Sequence, residues 1–321
     1  MRVLVLGGTS FIGRTVVDTA VRHGLDVTLF NRGFTGADLF PDLPRLTGDR
    51  DVDDYRSLAT GHWDAVVDVS GYVPRHVTTT MAALGDRVDR YVFISTQAVY
   101  DHDGIGPGGN ESTPLRAERR DTEELDNATY GPLKVACEND VRARFGDERT
   151  VILRPGRVAG PHDNQDAFTY WVRRAERGGR VALPAEPEQP VQVVDSRDLA
   201  TLVIRLLVDR RSGVFDAVGP AEPTTLAGLI HTCAQIAGSR VEIVPVRAER
   251  APFLFPLVRE RSAWPGLQRD ASKARAAGMP STPLSVTAAD VLTWDRDRGR
   301  PALSRGFSAA EEEQLLADYS G

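Results

Sequence analysis

Tyr130 and Lys134 stand four residues apart in "YGPLK". On a helix that spacing puts both side chains on one face. A phenol ionises near pH 10, too high for a base at neutral pH. An ammonium beside it would favour the phenolate and lower that value. Such a phenol can pass a proton to or from a carbonyl or hydroxyl. The lysine is unusual here. Of 39 lysine and arginine residues only two, Lys134 and Lys273, are lysine. A position that stays lysine in so arginine-rich a chain points to a need for a compact ammonium. A surface Tyr–Lys contact is the plain alternative. Ser95 and Thr96, in "FISTQAVY" (93–100), add hydroxyls at the end of an apolar run. At the carboxyl end of a parallel strand they would face the crevice where ligands bind. A turn or cap role is the alternative.

The second chemical signal is "RVLVLGGTSFIGRT" (2–15). Gly7, Gly8, Ser10 and Gly13 follow the three-glycine dinucleotide fingerprint, with Ser10 in the middle position. Glycine allows the tight turn, the approach of backbone to a pyrophosphate, and close packing of helix on strand. The helix N-terminus adds unpaired donors and a positive dipole end. The next strand ends "FNRG", with Asn31 and Arg32 where an NAD-selecting acid would stand. Arg32 could clamp a 2′-phosphate, with Arg14 reaching in from the first helix turn. NADP(H) is therefore favoured over NAD(H). Asp49 is placed to meet the adenine amine, or to cap the next helix.

These residues need a frame. "RVLVL" (2–6), "DVTLFN" (26–31), "RLTGD" (45–49), "DAVVDVS" (64–70), "RYVFIST" (90–96) and "TVILRPG" (150–156) read as strands. Helices are expected over 11–24, 51–60, 75–85 and 130–146. Residues 192–210 read as a strand running into a helix. The alternation means βαβ units and a parallel sheet. Residues 101–128 read as a long surface loop near the site. Residues 160–190 and 215–285 hold many prolines and short elements, as expected of a smaller lobe. The segment 247–264 reads as part of that lobe, with a lid over the site as the alternative. The last fourteen residues read as a capped, exposed helix.

The fold class is thus α/β: a Rossmann-type doubly wound parallel sheet with a smaller C-terminal α/β substrate lobe. Residues 1–160 form the dinucleotide-binding domain, joined again by 191–218. Residues 161–190 and 219–321 form mainly the lobe and C-terminal helices.

Composition narrows the function. The 321 residues carry a net charge of −6 and 41% hydrophobic residues. That balance speaks against a phosphate-backbone binder, so no nucleic-acid partner is expected. No apolar run nears the length of a membrane span. Only Cys137 and Cys233 are present, at no metal-ligand spacing, so no metal site is expected. Cys137 reads as a small buried hydrophobe. A reducing, cytoplasmic compartment is the expectation.

The motifs "GGTSFIG", "FISTQAVY", "YGPLK", "LRPGRVAGP" (153–161), "QVVDSRDLA" (192–200) and "DASKARAAGMP" (270–280) together resemble the extended short-chain dehydrogenase/reductase superfamily. By "TLFNRG", "LTGDR" and "VVDVSGY" the chain is most similar to the branch with chloroplast stem-loop-binding proteins and bacterial reductase-like proteins. The resemblance implies that Thr96 takes the catalytic Ser/Thr position, Tyr130 the acid/base and Lys134 its partner, also binding the nicotinamide ribose. Ser95 and Pro155 would line the nicotinamide pocket. The expected cofactor set is Gly7, Gly8, Thr9, Ser10, Phe11, Ile12, Gly13, Asn31, Arg32, Asp49, Arg50, Ser70, Ser95, Tyr130, Lys134 and Pro155. Gln97, His162 and Gln192 are the candidate substrate contacts, His162 being otherwise a turn residue. Gln97 and Ala98 stand where sugar-nucleotide dehydratases carry Asp-Glu, so dehydration is not expected.

The expected activity is an NADP(H)-dependent oxidoreduction of a carbonyl or secondary alcohol on a small polar metabolite. A sugar epimerase with tightly held NAD is the second expectation. A non-catalytic cofactor sensor or RNA-binding protein is the third. A homodimer is expected by analogy alone.

Overall fold

The computed structural model describes residues 1–101, 106–247, 249 and 255–318. The first half runs β1 (Arg2–Leu6), α1 (Phe11–Arg22), β2 (Asp26–Asn31), β3 (Arg45–Thr47), β4 (Ala65–Asp68), α2 (Pro74–Leu84), β5 (Tyr91–Ile94), α3 (Tyr130–Phe145) and β6 (Thr150–Pro155). The second half runs β7 (Arg157–Ala159), α4 (Ala167–Glu176), β8 (Gly179–Leu183), β9 (Pro190–Val191), β10 (Val193–Asp195), α5 (Ser196–Val208), β11 (Gly213–Ala217), β12 (Thr224–Thr225), α6 (Leu226–Ala237), β13 (Val241–Pro245), α7 (Ser272–Ala276), α8 (Leu284–Asp297) and α9 (Ala309–Ala317).

Seven strands form one sheet in the order β3-β2-β1-β4-β5-β6-β11, every neighbouring pair parallel. This is the Rossmann-type α/β fold. Alternate side chains of β1 serve opposite faces of the sheet, as the period of two requires. Val3 and Val5 pack with Val16, Val17, Leu199 and Val203 of α1 and α5. Leu4 and Leu6 pack with Met81, Phe93, Cys137 and Val141 on the other face. Burial on both faces explains why the strands read as unbroken apolar runs. The strand order reverses between β1 and β4, which opens a crevice at their carboxyl ends.

A separate core joins α4, α6, α8 and β8, centred on Phe168, Trp171, Ile230 and Val291. Phe255 and Leu257 belong to it. They are part of the segment read as packed lobe or lid; residues 248 and 250–254 of that segment lie outside the described residues.

Two expectations need correction. Residues 51–60 form no α-helix. Asp49 and Asp54 bridge each other, Asp53 takes a left-handed φ of 54°, and only Arg56–Leu58 make a short 3₁₀ turn. Aspartates bond to nearby backbone and so favour turns over helix interiors; here the Asp51 N–H donates to Asp49 Oδ1. The C-terminal helix is capped by Ser308 and Glu311, but it is not free on the surface. Leu315 is buried in the second core, and the buried Glu312 carboxylate accepts from Arg174. No helix of the described residues is long and apolar enough to cross a membrane.

Candidate active site

The glycine turn is as tight as its residues suggest. Gly7 and Gly8 take φ of 106° and 89°, open to glycine and strained for other residues. A Cβ on Gly13 would lie 2.7 Å from the Gly8 nitrogen, so α1 can reach the turn only without a side chain there. The Asn31 amide ties the turn to the end of β2, donating to Gly7 O and accepting from Gly33 N. Ser70 donates to Leu6 O. Gly7, Thr9, Asn31, Arg32, Asp49, Arg50 and Ser70 all line one cavity of about 210 Å³. Ser10 caps α1, and its hydroxyl meets Asn164 at 3.4 Å. Phe11 and Ile12 are half-buried against the sheet core.

Thr96, Tyr130 and Lys134 come together where β5 ends and α3 begins. The Thr96 hydroxyl accepts from Ala98 N and lies in hydrogen-bonding reach of the Tyr130 phenol. Gly131 makes this approach possible: a Cβ there would lie 2.0 Å from Ala98 O. Lys134 is 2% exposed and donates to Gly71 O and Ile94 O, both at 2.7 Å. Its ammonium also sits 4.0 Å from the centre of the Phe93 ring. Loss of water pulls it down to about 8.

The phenol behaves differently from expectation. Burial pushes Tyr130 up to about 12, the neighbouring Tyr72 phenol adds to that, and the Thr96 hydroxyl opposes it. The Lys134 ammonium is bonded to two backbone carbonyls. Tyr130 is therefore a neutral phenol at neutral pH. Tyr72, which the sequence reading passed over, also lines the 210 Å³ cavity, with its ring centre 5.9 Å from Lys134 Nζ.

Other expected contacts are engaged elsewhere. The buried Ser95 hydroxyl donates to Glu138, so it does not line a nicotinamide pocket with a free donor. Glu138 also accepts two bonds from Arg154, which donates onward to the Tyr100 hydroxyl. Tyr100 donates to Asp216, whose carboxylate also accepts from Arg269. Pro155 is buried at the end of β6, in register with Ala217. Both ends of the Gln192 amide are held by the Arg269 backbone. Gln97 keeps a buried amide nitrogen without a partner. His162 packs edge-on against Trp294 and meets Arg14 at 3.4 Å, in a different cavity of about 270 Å³. Arg14 thus stands with His162 and not with Arg32.

The crevice wall beside the ends of β2 and β3 has a charge pattern no strand motif announces. Arg32 is paired with Asp51 at 3.2 Å. Arg50, 8% exposed, donates to the buried Asp68, which also accepts from Tyr91. The Nε and Nη1 atoms of Arg50 have no hydrogen-bond partner among the described residues.

The model of the NAD dependent epimerase/dehydratase family matches residues 3–217. Two characterised proteins are similar in sequence. One is the chloroplast stem-loop binding protein of 41 kDa b from Arabidopsis thaliana, 26% identical over 74% of this chain, a match that spans 63% of that protein's length. The other is dTDP-6-deoxy-L-talose 4-dehydrogenase (NAD(P)(+)) from Kitasatospora kifunensis, 26% identical over 77% of this chain and 82% of that protein. Among solved structures, UDP-glucose 4-epimerase from Thermotoga maritima superimposes with a TM-score of 0.69 at 19% identity, over 93% of this chain and 99% of that one. RMD from Pseudomonas aeruginosa, complexed with NADPH, gives 0.66 at 18% identity, over 92% and 99%. The chain belongs to the NAD dependent epimerase/dehydratase family.

Proposed function

We propose that this chain is an NADP(H)-dependent oxidoreductase acting on a carbonyl or secondary alcohol of a small polar metabolite. The observation that carries the reading is the meeting of Thr96, Tyr130 and the buried Lys134 beside the glycine-turn crevice. A bound nicotinamide supplies or takes the hydride. The protein's own part is proton handling and orientation. Thr96 holds the reacting oxygen, and Tyr130, neutral at pH 7, gives it a proton as charge develops there. That protonation state suits reduction. Lys134 uses two of its three protons on Gly71 and Ile94, which leaves one for a ribose hydroxyl. Arg32, on the wall of the cavity beside the end of β2, favours a 2′-phosphate and hence NADP(H).

The relative that oxidises a dTDP-sugar at C4 supports a nucleotide-linked sugar as the first substrate class to try. The test pairs NADPH binding with NADPH consumption over a panel of nucleotide-linked ketosugars and simple polar ketones. Tyr130→Phe is expected to leave NADPH affinity within about twofold and to lower turnover by about a hundredfold or more. Full turnover in that variant refutes the assignment. An epimerase is the second reading, favoured by the Asp51 carboxylate, which suits a ribose hydroxyl of NAD. It predicts NAD in the purified protein and no net consumption of added cofactor. Nucleic-acid stem-loop binding, which the name of the plant relative suggests, fits poorly with a net charge of −6.

A further inference from the structure

We infer that Asp51 sets the nucleotide preference of this chain, acting as an internal anion that competes with a 2′-phosphate and serves a 2′-hydroxyl. The inference rests on the dinucleotide reading of the crevice given above. In this fold the selecting acid is looked for at the end of β2. That strand ends in Asn31, whose amide is fully engaged on Gly7 and Gly33. The turn after β3 delivers a carboxylate to the same place. Asp51 Oδ2 lies 3.2 Å from Arg32 Nη1, and Asp51 Oδ1 lies 3.3 Å from His76 Nε2. Arg32, Asp51 and His76 all line the 210 Å³ cavity.

The position of Asp51 is built. Its N–H donates to Asp49 Oδ1, and Asp49 bridges Asp54 across the turn. Arg75 pins the turn from α2 by donating to Arg50 O and to Asp53. None of these turn contacts uses the Asp51 side chain, whose carboxylate meets only Arg32 and His76 among the described residues, both on the cavity wall. That carboxylate neutralises Arg32. A 2′-phosphate entering the site must take Arg32 from it and then endure a like charge nearby. A ribose hydroxyl instead finds a ready acceptor. One carboxylate thus acts in opposite directions on two cofactors that differ only by that phosphate. Arg50 stands outside this exchange: it is buried and donates to Asp68, not to Asp51.

The experiment titrates the wild-type chain and Asp51→Asn with NADPH and with NADH, following nicotinamide fluorescence. Asparagine retains the N–H that holds the turn. NADPH is expected to bind about fivefold tighter to the variant and NADH about threefold weaker, from the typical size of exposed charge pairs and hydrogen bonds. The NADPH gain should shrink in high salt, where exposed charges are screened. Asp51→Ser should repeat both shifts. Wild-type binding with an unchanged NADPH/NADH ratio in both variants overturns the inference and leaves the dinucleotide reading standing. Failure of the wild type to bind either nucleotide overturns both.

Discussion

The buried ammonium of Lys134 makes a prediction that needs no substrate. Lysine ordinarily loses its proton at 10.5, whereas in the folded chain burial brings this down to about 8. Below about pH 8 the folded and unfolded chains both hold the proton, and burial of the charge is a full cost to stability. As pH rises past that point the folded chain releases its proton first, and the cost is relieved until the unfolded chain follows near 10.5. At about 1.4 kcal/mol per unit of pKa difference, the gain between about pH 7 and pH 9.5 is roughly 2 kcal/mol. Lys134→Met removes the titrating group. Urea unfolding of both proteins at the two pH values isolates it, because the other titrating groups are shared. The wild type should gain about 2 kcal/mol relative to the variant on going to the higher pH. Parallel behaviour of the two proteins would refute the reasoning, since a solvated amine has nothing to gain from losing its proton there.

Two further substitutions probe what holds the site. Glu138→Gln leaves Arg154 buried with its charge unmet and weakens the acceptor for Ser95. It should cost about 3 kcal/mol or more, read as a lower denaturation midpoint, and an unchanged midpoint would show that the pair is neutral. Gly131→Ala drives a methyl to 2.0 Å from Ala98 O, so α3 must move away from the turn that carries Thr96. It should cost about 2 kcal/mol and reduce turnover while NADPH affinity changes little, because the glycine turn stands apart from it. Full turnover with wild-type stability would rule out this role for Gly131.

The parts of the fold that could be read from the sequence are those fixed locally. β1, β2, β4, β5 and β6 are apolar runs ended by glycine, proline or polar residues, and α1, α2 and α3 follow them within a residue or two of expectation. The crevice was legible for the same reason: Gly7, Gly8 and Gly13 answer to constraints inside one turn. Apart from the helix expected over 51–60, which local aspartate contacts replace with a turn, the misreadings involve partners distant in sequence. Ser95 was expected to face the cofactor, yet Glu138, 43 residues later, takes its hydroxyl. Gln192 looked available until Arg269, 77 residues on, closed both ends of its amide. Asp51 lies 19 residues beyond Arg32, and only the return of β3 to the edge of β2 brings the two together. The Tyr–Lys spacing placed both groups on α3 correctly. Their electrostatics did not follow from spacing, because the carbonyls that hold Lys134 come from β5 and the turn before α2.

The buried chain from Glu138 to Arg269 bears on where this protein can be cut. The stretch that matches the family ends at residue 217, the last residue of β11. Asp216, one residue earlier, has no exposed surface, and its carboxylate is met by Arg269 at 2.9 Å. Asp195 and Asp198 at the head of α5 likewise take hydrogen bonds from Thr287 and Thr282. A fragment truncated at the family boundary would keep these carboxylates and lose the groups that satisfy them. The part of the chain that matches the family thus depends on the C-terminal third, which completes its interior.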